Sequence, residues 1–255
     1  MLISAIMQPT FLPWCGYFDM IDQADYFVLY DDVQLTKRSW QVRNRIKSVK
    51  GELFLTLPIK KTKVRDDLLI IDSEISYEHK WLNKHLITIE NLYRKSDYFD
   101  EIYSFISKHY KKKYNSLSKF NSDFIINVSD KIGIRTNFVH SSTLKNIKGV
   151  KDERLTLICK SLKTKLYLAS QGSSSYIELK NPGGEFSKNS IDLYYHFYNH
   201  PHYKQLNGEF IPYLSILDLL FNVGFSEALN VIRSGRMQKV FYKEYRKEYL
   251  KLNNN

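Results

Sequence analysis

Residues Leu2 to Tyr30 read LISAIMQPTFLPWCGYFDMIDQADYFVLY. Leu2 to Met7 is a short apolar run that stops at Gln8-Pro9. Proline cannot continue a central ladder, so the run is predicted as a buried first strand that ends in a loop, TFLPWCG. After Gly16 the apolar residues Phe18, Ile21 and Ala24 recur at helical spacing, and Tyr26 to Tyr30 then makes a second buried strand ending at Asp31-Asp32. Strand, loop, helix and strand in about 30 residues is a βαβ unit, whose strands run parallel.

The same reading extends outward. Leu53 to Pro58 is predicted as a third strand and Leu68 to Ile75 as a fourth, with the basic loop Lys60 to Arg65 between them and a polar stretch from Asp31 to Lys47 before them. Trp81, Leu82, His85, Ile89 and Leu92 fall on one helical face; Phe99, Ile102, Phe105, Ile106 and Tyr110 repeat the pattern, and Phe120 to Ile132 continues it. A strand at Asn137 to His140, a helix from Asp152 to Leu162, and strands at Lys165 to Ala169 and Ile191 to Tyr198 restore the alternation. Ser215 to Phe221 and Ser226 to Ile232 are predicted helices; Asn222 before Gly224 reads as a helix end, and Ser215 with Asp218 as a capping box. The fold class is therefore α/β, a Rossmann-like mostly parallel sheet with a helical insertion over about 77–133 and a helical C-terminal part. One domain is expected over 1–235, followed by a charged helix and tail over 236–255, fraying into Asn253 to Asn255.

A chain of 255 residues is long enough to bury a core without disulfides or metal. Its two cysteines, Cys15 and Cys159, lack CxxC spacing, which excludes a zinc ribbon and a disulfide framework and indicates a reducing compartment. No run approaches the roughly 20 apolar residues of a membrane span, and the start lacks a signal-peptide pattern, so a cytoplasmic protein is expected. The net charge of +11 suits an anionic partner, whether a phosphorylated substrate, a nucleic acid or an acidic carrier protein. A lysine-rich composition alone accounts for it equally well.

Ligands of open parallel sheets bind beyond the carboxyl ends of the strands. Both QPTFLPWCG and DDVQ lie at such ends. Gln8, Pro9, Trp14 and Gly16 form one candidate ligand loop, with Gly16 letting a ligand approach the backbone; Asp31, Asp32 and Gln34 form the other. Proline and tryptophan shaping a packed loop is the competing reading of the first. Downstream, KRSWQVRNRIK sets Lys37, Arg38, Arg43, Arg45 and Lys47 around Trp40, with Asn44 among them, a pattern that fits a nucleotide or sugar phosphate through guanidinium forks and an aromatic face, or else a solvated basic loop. Ser170, Gly172 and Ser173 follow a strand, where an anion site or serine capping fits. His196, His200 and His202 lack acidic or cysteine partners nearby, so no metal site is expected; His200 with Tyr203 and Gln205 can instead supply a base and hydrogen bonds. No motif calls for a cofactor.

Two long stretches, IMQPTFLPWCGYFDMIDQADYFVLYDDVQLTKRSWQVRNRIK and YLASQGSSSYIELKNPGGEFSKNSIDLYYHFYNHPHYKQLNGEFIPYLSILDLLFNVG, resemble the WbqC-like protein family, as does EHKWLNKHLITIENLYRKSDYF between them. The resemblance implies a place in surface-polysaccharide (O-antigen, lipopolysaccharide) biosynthesis, with acyl or aminoacyl transfer, glycyl included, onto the amine of a nucleotide-linked dideoxy sugar. Its implied partners are that nucleotide-linked amino sugar and an acyl donor on a carrier protein or tRNA. Attack by an amine needs a base and donors for the developing oxyanion. Asp31, Asp32 and His200 are the base candidates, Gln8, Gln34 and Asn44 the orienting groups, and Arg43 and Arg45 the diphosphate ligands. The opening is also distantly similar to nucleotidylyltransferases of the HIGH type. There Trp14-Cys15-Gly16-Tyr17 would replace the HxGH tetrad, and only the glycine survives. Nucleotidyl transfer and non-catalytic binding in a polysaccharide assembly complex are the alternative functions.

Overall fold

The computed structural model describes residues 1–36, 38–61, 68–179 and 181–251. Lys37, positions 62–67 of the basic loop and the asparagine tail Asn253 to Asn255 lie outside the described residues. The elements in chain order are β1 (Ile3–Met7), α1 (Cys15–Asp22), β2 (Tyr26–Leu29), β3 (Arg43–Ser48), β4 (Gly51–Thr56), α2 (Trp81–Tyr93), α3 (Phe99–Lys111), α4 (Leu117–Lys131) and β5 (Asn137–His140). They continue with α5 (Lys151–Ser161), β6 (Leu166–Ala169), α6 (Ser174–Ile177), α7 (Gly184–Lys188), β7 (Asp192–Tyr195), α8 (Ile216–Ser234), β8 (Val240–Phe241) and α9 (Tyr242–Glu248).

Among the described residues the main sheet has six strands in the order β5-β2-β1-β6-β7-β8. All pairs are parallel except β7 with β8. β1 pairs with β2 from Ser4↔Tyr26 to Met7↔Leu29, and with β6 on its other side. A strand flanked on both edges and covered on both faces carries no polar alternation, which explains the near-continuous apolar character of ISAIM and YFVL, where the buried Ser4 hydroxyl is satisfied by Thr164 and Cys159. Ala5, Phe27 and Leu29 face a core shared with α1 to α4 and α8, while Ile6 and Val28 face a second core built with α5, α7 and α9. Counting only strands of this sheet in chain order gives 3-2-1-4-5-6, the doubly wound Rossmann arrangement. The winding reverses between β1 and β6, and a crevice opens there.

Three strand expectations need correction. β4 is not a strand of the main sheet; it pairs antiparallel with β3, from Arg43↔Thr56 to Ser48↔Gly51, in a separate two-stranded ribbon. The partner was hidden because RNRIKS alternates buried Asn44 and Ile46 with half-buried Arg43 and Arg45, a period-2 pattern masked by its charges. Leu68 to Ile75 forms no strand: Ile70 and Ile75 are buried anchors, and the backbone spends its hydrogen bonds on three separate segments, at Asp31 to Leu35, Lys60 and Asn115. The expected strand Ile191 to Tyr198 ends at Tyr195 as β7.

The interruption at Gly224 is present. α8 carries a non-helical residue there, with φ +72° and ψ 177°, and a Cβ at that position would meet the Tyr98 ring at 2.5 Å. The capping box is not. The Ser215 hydroxyl accepts from the Leu217 amide, but its own amide donates to the Arg45 carbonyl, leaving Asp218 no capping task. The Asp218 carboxylate instead accepts from the hydroxyls of Tyr93 and Tyr203, both at 2.9 Å, in the interior.

Candidate functional site

A cleft of about 830 Å³ occupies the β1–β6 switch point, within the size range of small-molecule sites. Its floor comes from the ends of β1 (Met7, Gln8) and β2 (Tyr30), and one wall from the β6 end (Ser170, Gly172, Ser173) with Tyr176 and Lys151. The facing wall is Trp14, Trp40, Gln41, Asn44, Arg45 and Tyr213. The two long stretches of sequence thus meet on one cavity.

The loop after β1 is held by its neighbours. Asn44 donates to the carbonyls of Phe11 (3.1 Å) and Leu12 (2.8 Å), Asn121 to that of Pro9 (2.9 Å), and Tyr17 to that of Gln8 (3.0 Å). Gln41 donates to the Gln8 side chain at 2.7 Å, so the two amides are oriented as a pair in the cleft. Gly16 serves a different purpose from the one expected. A Cβ there would lie 2.2–2.6 Å from the Trp14 indole, so the glycine seats the tryptophan that forms the wall, and no room is left for a ligand.

Arg45 donates to Glu52 (2.6 Å) and the Tyr213 carbonyl (3.1 Å), its guanidinium lies 5.4 Å from the Trp40 ring centroid, and its buried Nε has no partner. Arg43 points elsewhere on the ribbon, 4.9 Å over Phe54. Arg38 is an exposed turn residue outside the lining. Gln34 lines the cleft and bridges to Leu69.

No Asp, Glu, His or Cys is among the described lining residues, and the cations are Arg45 and Lys151. The three expected bases stand behind this surface. Asp31 is 2% exposed. Burial pushes its carboxyl up, yet hydrogen bonds from His140, the Ser142 amide and Ser118 outweigh that and hold it at about 2. Asp32 is ion-paired with Arg154 and accepts from Ser141 at 2.5 Å. His200 is buried in rings, stacked on Trp14 (centroids 6.3 Å) and tilted on Tyr213 (5.2 Å), with neither ring nitrogen hydrogen-bonded. Burial lowers its pKa to about 4.

Tyr203 and Gln205 belong to an interior network away from the cleft lining. There Lys47, 1% exposed, donates to Gln205 and to the carbonyls of Gly208 and Glu209, and Gln205 reaches the Tyr203 hydroxyl at 3.4 Å. This network and Arg45 pin the 201–213 segment, which carries Tyr213 to the cleft. His196 does have an acidic partner, Asp19 at 2.7 Å, brought in from α1, and His202 packs on Phe210 at 4.2 Å. Among the described residues no cluster of three or more His, Cys, Asp or Glu has a metal-holding arrangement. Both cysteines are buried, and burial pushes the Cys159 thiol up to about 11.

Sequence reasoning missed Tyr17, Tyr30, Gln41, Lys151, Tyr176 and Tyr213 in the lining. Tyr30 closes the second apolar run, and Tyr17 and Gln41 adjoin the candidate residues Gly16 and Trp40, so these three were within reach; Lys151, Tyr176 and Tyr213 arrive from separate segments and carry no local signal.

A family model described as the WbqC-like protein family matches residues 8–230. Uncharacterized protein Rv1507c of Mycobacterium tuberculosis (strain ATCC 25618 / H37Rv) is 34% identical over 236 residues, covering 90% of this chain and 96% of that protein. No solved structure matches the chain. The family match includes the β1 loop, the ribbon and the β6 turn, all the walls of the cleft, and the chain belongs to the WbqC-like protein family.

Proposed function

We propose that the cleft binds a nucleotide-activated amino sugar and that the protein transfers an acyl or aminoacyl group, such as glycyl, to the sugar amine in surface-polysaccharide synthesis. The observation that carries the binding half is the lining itself: aromatic walls (Trp14, Trp40, Tyr30), two cations (Arg45, Lys151) and an oriented amide pair (Gln8, Gln41) at the switch point of a Rossmann-like sheet. Rings stack on a base, cations neutralise a diphosphate, and amides read sugar hydroxyls. The phosphate role expected of Arg43 and Arg45 passes to Arg45 and Lys151, since Arg43 lies over Phe54. The donor is an acyl ester or thioester on a tRNA or carrier protein, and both are anionic partners suited to a chain of net charge +11.

A second reading is a non-catalytic nucleotide-sugar-binding protein. It is favoured by the absence of any carboxylate or imidazole among the described lining residues. Nucleotidyl transfer has less support, because Trp14-Cys15-Gly16-Tyr17 offers no imidazole and the indole fills the space over Gly16. Mass spectrometry of nucleotide-linked amino sugars incubated with the protein and cell extract decides among them. A mass gain of an acyl or aminoacyl group on the sugar is the expected result. Tight binding without turnover supports the second reading, and a new nucleotidyl-sugar would restore the third.

A further inference from the structure

β2 and β5 are parallel neighbours with Leu29 opposite His140. The chain leaves β2 as Tyr30-Asp31-Asp32 and β5 as His140-Ser141-Ser142, so the two exits lie side by side on the ligand edge of the sheet. There His140 Nδ1 and Asp31 Oδ2 are 2.8 Å apart. The carboxylate also accepts from the Ser118 hydroxyl (3.0 Å) and the Ser142 amide (3.2 Å). Ser141 accepts from the Asp31 amide and donates to Asp32, which Arg154 holds in turn. Arg154 lies 5.2 Å over the ring of Tyr30, a cleft residue.

This arrangement orients a histidine. A carboxylate already fixed by the Ser118 hydroxyl and the Ser142 amide can only accept from the imidazole, so whenever the ring is neutral Nδ1 carries the proton and Nε2 keeps its lone pair. Nε2 takes no hydrogen bond among the described residues, and the His140 side chain is 34% exposed whereas Asp31 is 2% exposed. The exposed member of the pair is the imidazole, and the buried member is the group that holds it.

We propose that His140 is the proton acceptor for the attacking sugar amine and that Asp31 is its positioning residue. The proposal rests on the transfer reading above; His140 is not among the described lining residues and stands beside the cleft, next to Ser141, which reaches the lining residue Tyr30 through Asp32 and Arg154, so the sugar amine must extend past Tyr30 to meet Nε2. In the step, the amine nitrogen bonds to the carbonyl carbon of the acyl ester or thioester, and the carbonyl π pair moves to oxygen. Nε2 takes the proton that the nitrogen loses. Collapse of the tetrahedral intermediate breaks the C–O or C–S bond, and the imidazolium returns the proton to the departing alkoxide or thiolate.

The test has two independent arms. Nitrogen-15 NMR of the imidazole rings in the unliganded protein should show His140 as the Nδ1–H tautomer, a preference lost in Asp31→Asn; an Nε2–H tautomer in the wild type overturns the proposal. In the transfer assay, His140→Ala should lower kcat by about 10²–10³-fold with little change in nucleotide-sugar affinity, and added imidazole should restore part of the loss. The exposed His79→Gln variant should leave kcat unchanged. Wild-type kcat in His140→Ala overturns the proposal. Should Asp31→Asn not fold, the wild-type tautomer and the His140→Ala series still decide. If the wild type acylates no amino sugar, the transfer reading fails on its own, and the tautomer still supports or overturns the pair.

Discussion

The molecule contains two aspartate–histidine pairs of nearly equal length that stand in opposite surroundings. Asp31 and His140 meet at 2.8 Å where β2 and β5 end, and Asp19 and His196 meet at 2.7 Å between α1 and the end of β7. In the second pair both side chains are buried, and Asp19 also accepts from Arg236 (2.8 Å) and Gln23 (2.7 Å). Arg236 and Arg233 bind Asp22 one turn along, so the cluster rivets α1 to the end of α8. In the first pair serines and an amide surround the carboxylate, no arginine among the described residues touches it, and the ring is left partly in solvent. The same couple therefore serves as a fastener where cations close it in and as an oriented base where one nitrogen stays open. Distance does not separate the two cases; exposure of the imidazole and the remaining partners of the carboxylate do.

The largest effect expected from breaking this contrast is on stability. Asp19→Ala strands the buried His196 without its acceptor and leaves Arg236 only Asp22, and should cost about 3–5 kcal/mol in urea unfolding, while His140→Ala, at a partly exposed site, should cost less than about 1.5 kcal/mol. Equal losses would mean that both pairs are structural.

A histidine with no partner sharpens the comparison. The folded-state pKa of His200 is depressed to about 4 by burial, so the unfolded chain, near 6.5, binds the proton first. The stability it contributes is complete above pH 6.5 and is lost as pH falls through 4, about 3 kcal/mol by the linkage relation. His85, also held at about 4, and His109, at about 3, act in the same direction. His200→Phe should flatten the slope of unfolding free energy between pH 7 and 4 without abolishing it; an unchanged slope would show that His200 charges freely in the native state.

A smaller effect is expected at the cleft wall. Gly16→Ala drives a methyl group into the Trp14 indole, so the wall must shift, with an expected loss of about 1–3 kcal/mol in stability and a change in tryptophan fluorescence. Gly172→Ala, which lines the same cleft with nothing within 4 Å of the new Cβ, should change neither by more than about 0.5 kcal/mol.

The parts of the fold that were legible in the sequence are those whose environment is uniform. ISAIM and YFVL are covered on both faces and read as strands directly; the helices of the insertion each show one apolar face; the break at Gly224 was marked by its glycine. The ribbon was obscured because Arg43, Arg45 and Lys47 made RNRIKS look like solvated loop, although Lys47 is buried against backbone carbonyls. The site divides in the same way. Gln8, Trp14 and Ser170 follow strands and were legible from position alone. His140 was not, because its meaning depends on pairing β2 with a strand that begins 111 residues after Tyr26, and no local pattern records that pairing. Asp218 misled through a spacing that fitted a cap while its carboxylate served two buried tyrosines.

The central claim is that the β1–β6 cleft recognises a nucleotide-linked amino sugar through Arg45 and its aromatic neighbours. Calorimetric titration of such a sugar into the wild type, Arg45→Ala and Arg43→Ala tests it most directly. Saturable binding is predicted for the wild type. Arg45→Ala should weaken it by about 1.5–3 kcal/mol, the worth of a charge-assisted hydrogen bond, and Arg43→Ala, stacked on Phe54 outside the lining, should stay within about 0.5 kcal/mol of the wild type. No binding to the wild type, or equal affinity in wild type and Arg45→Ala, would contradict the account.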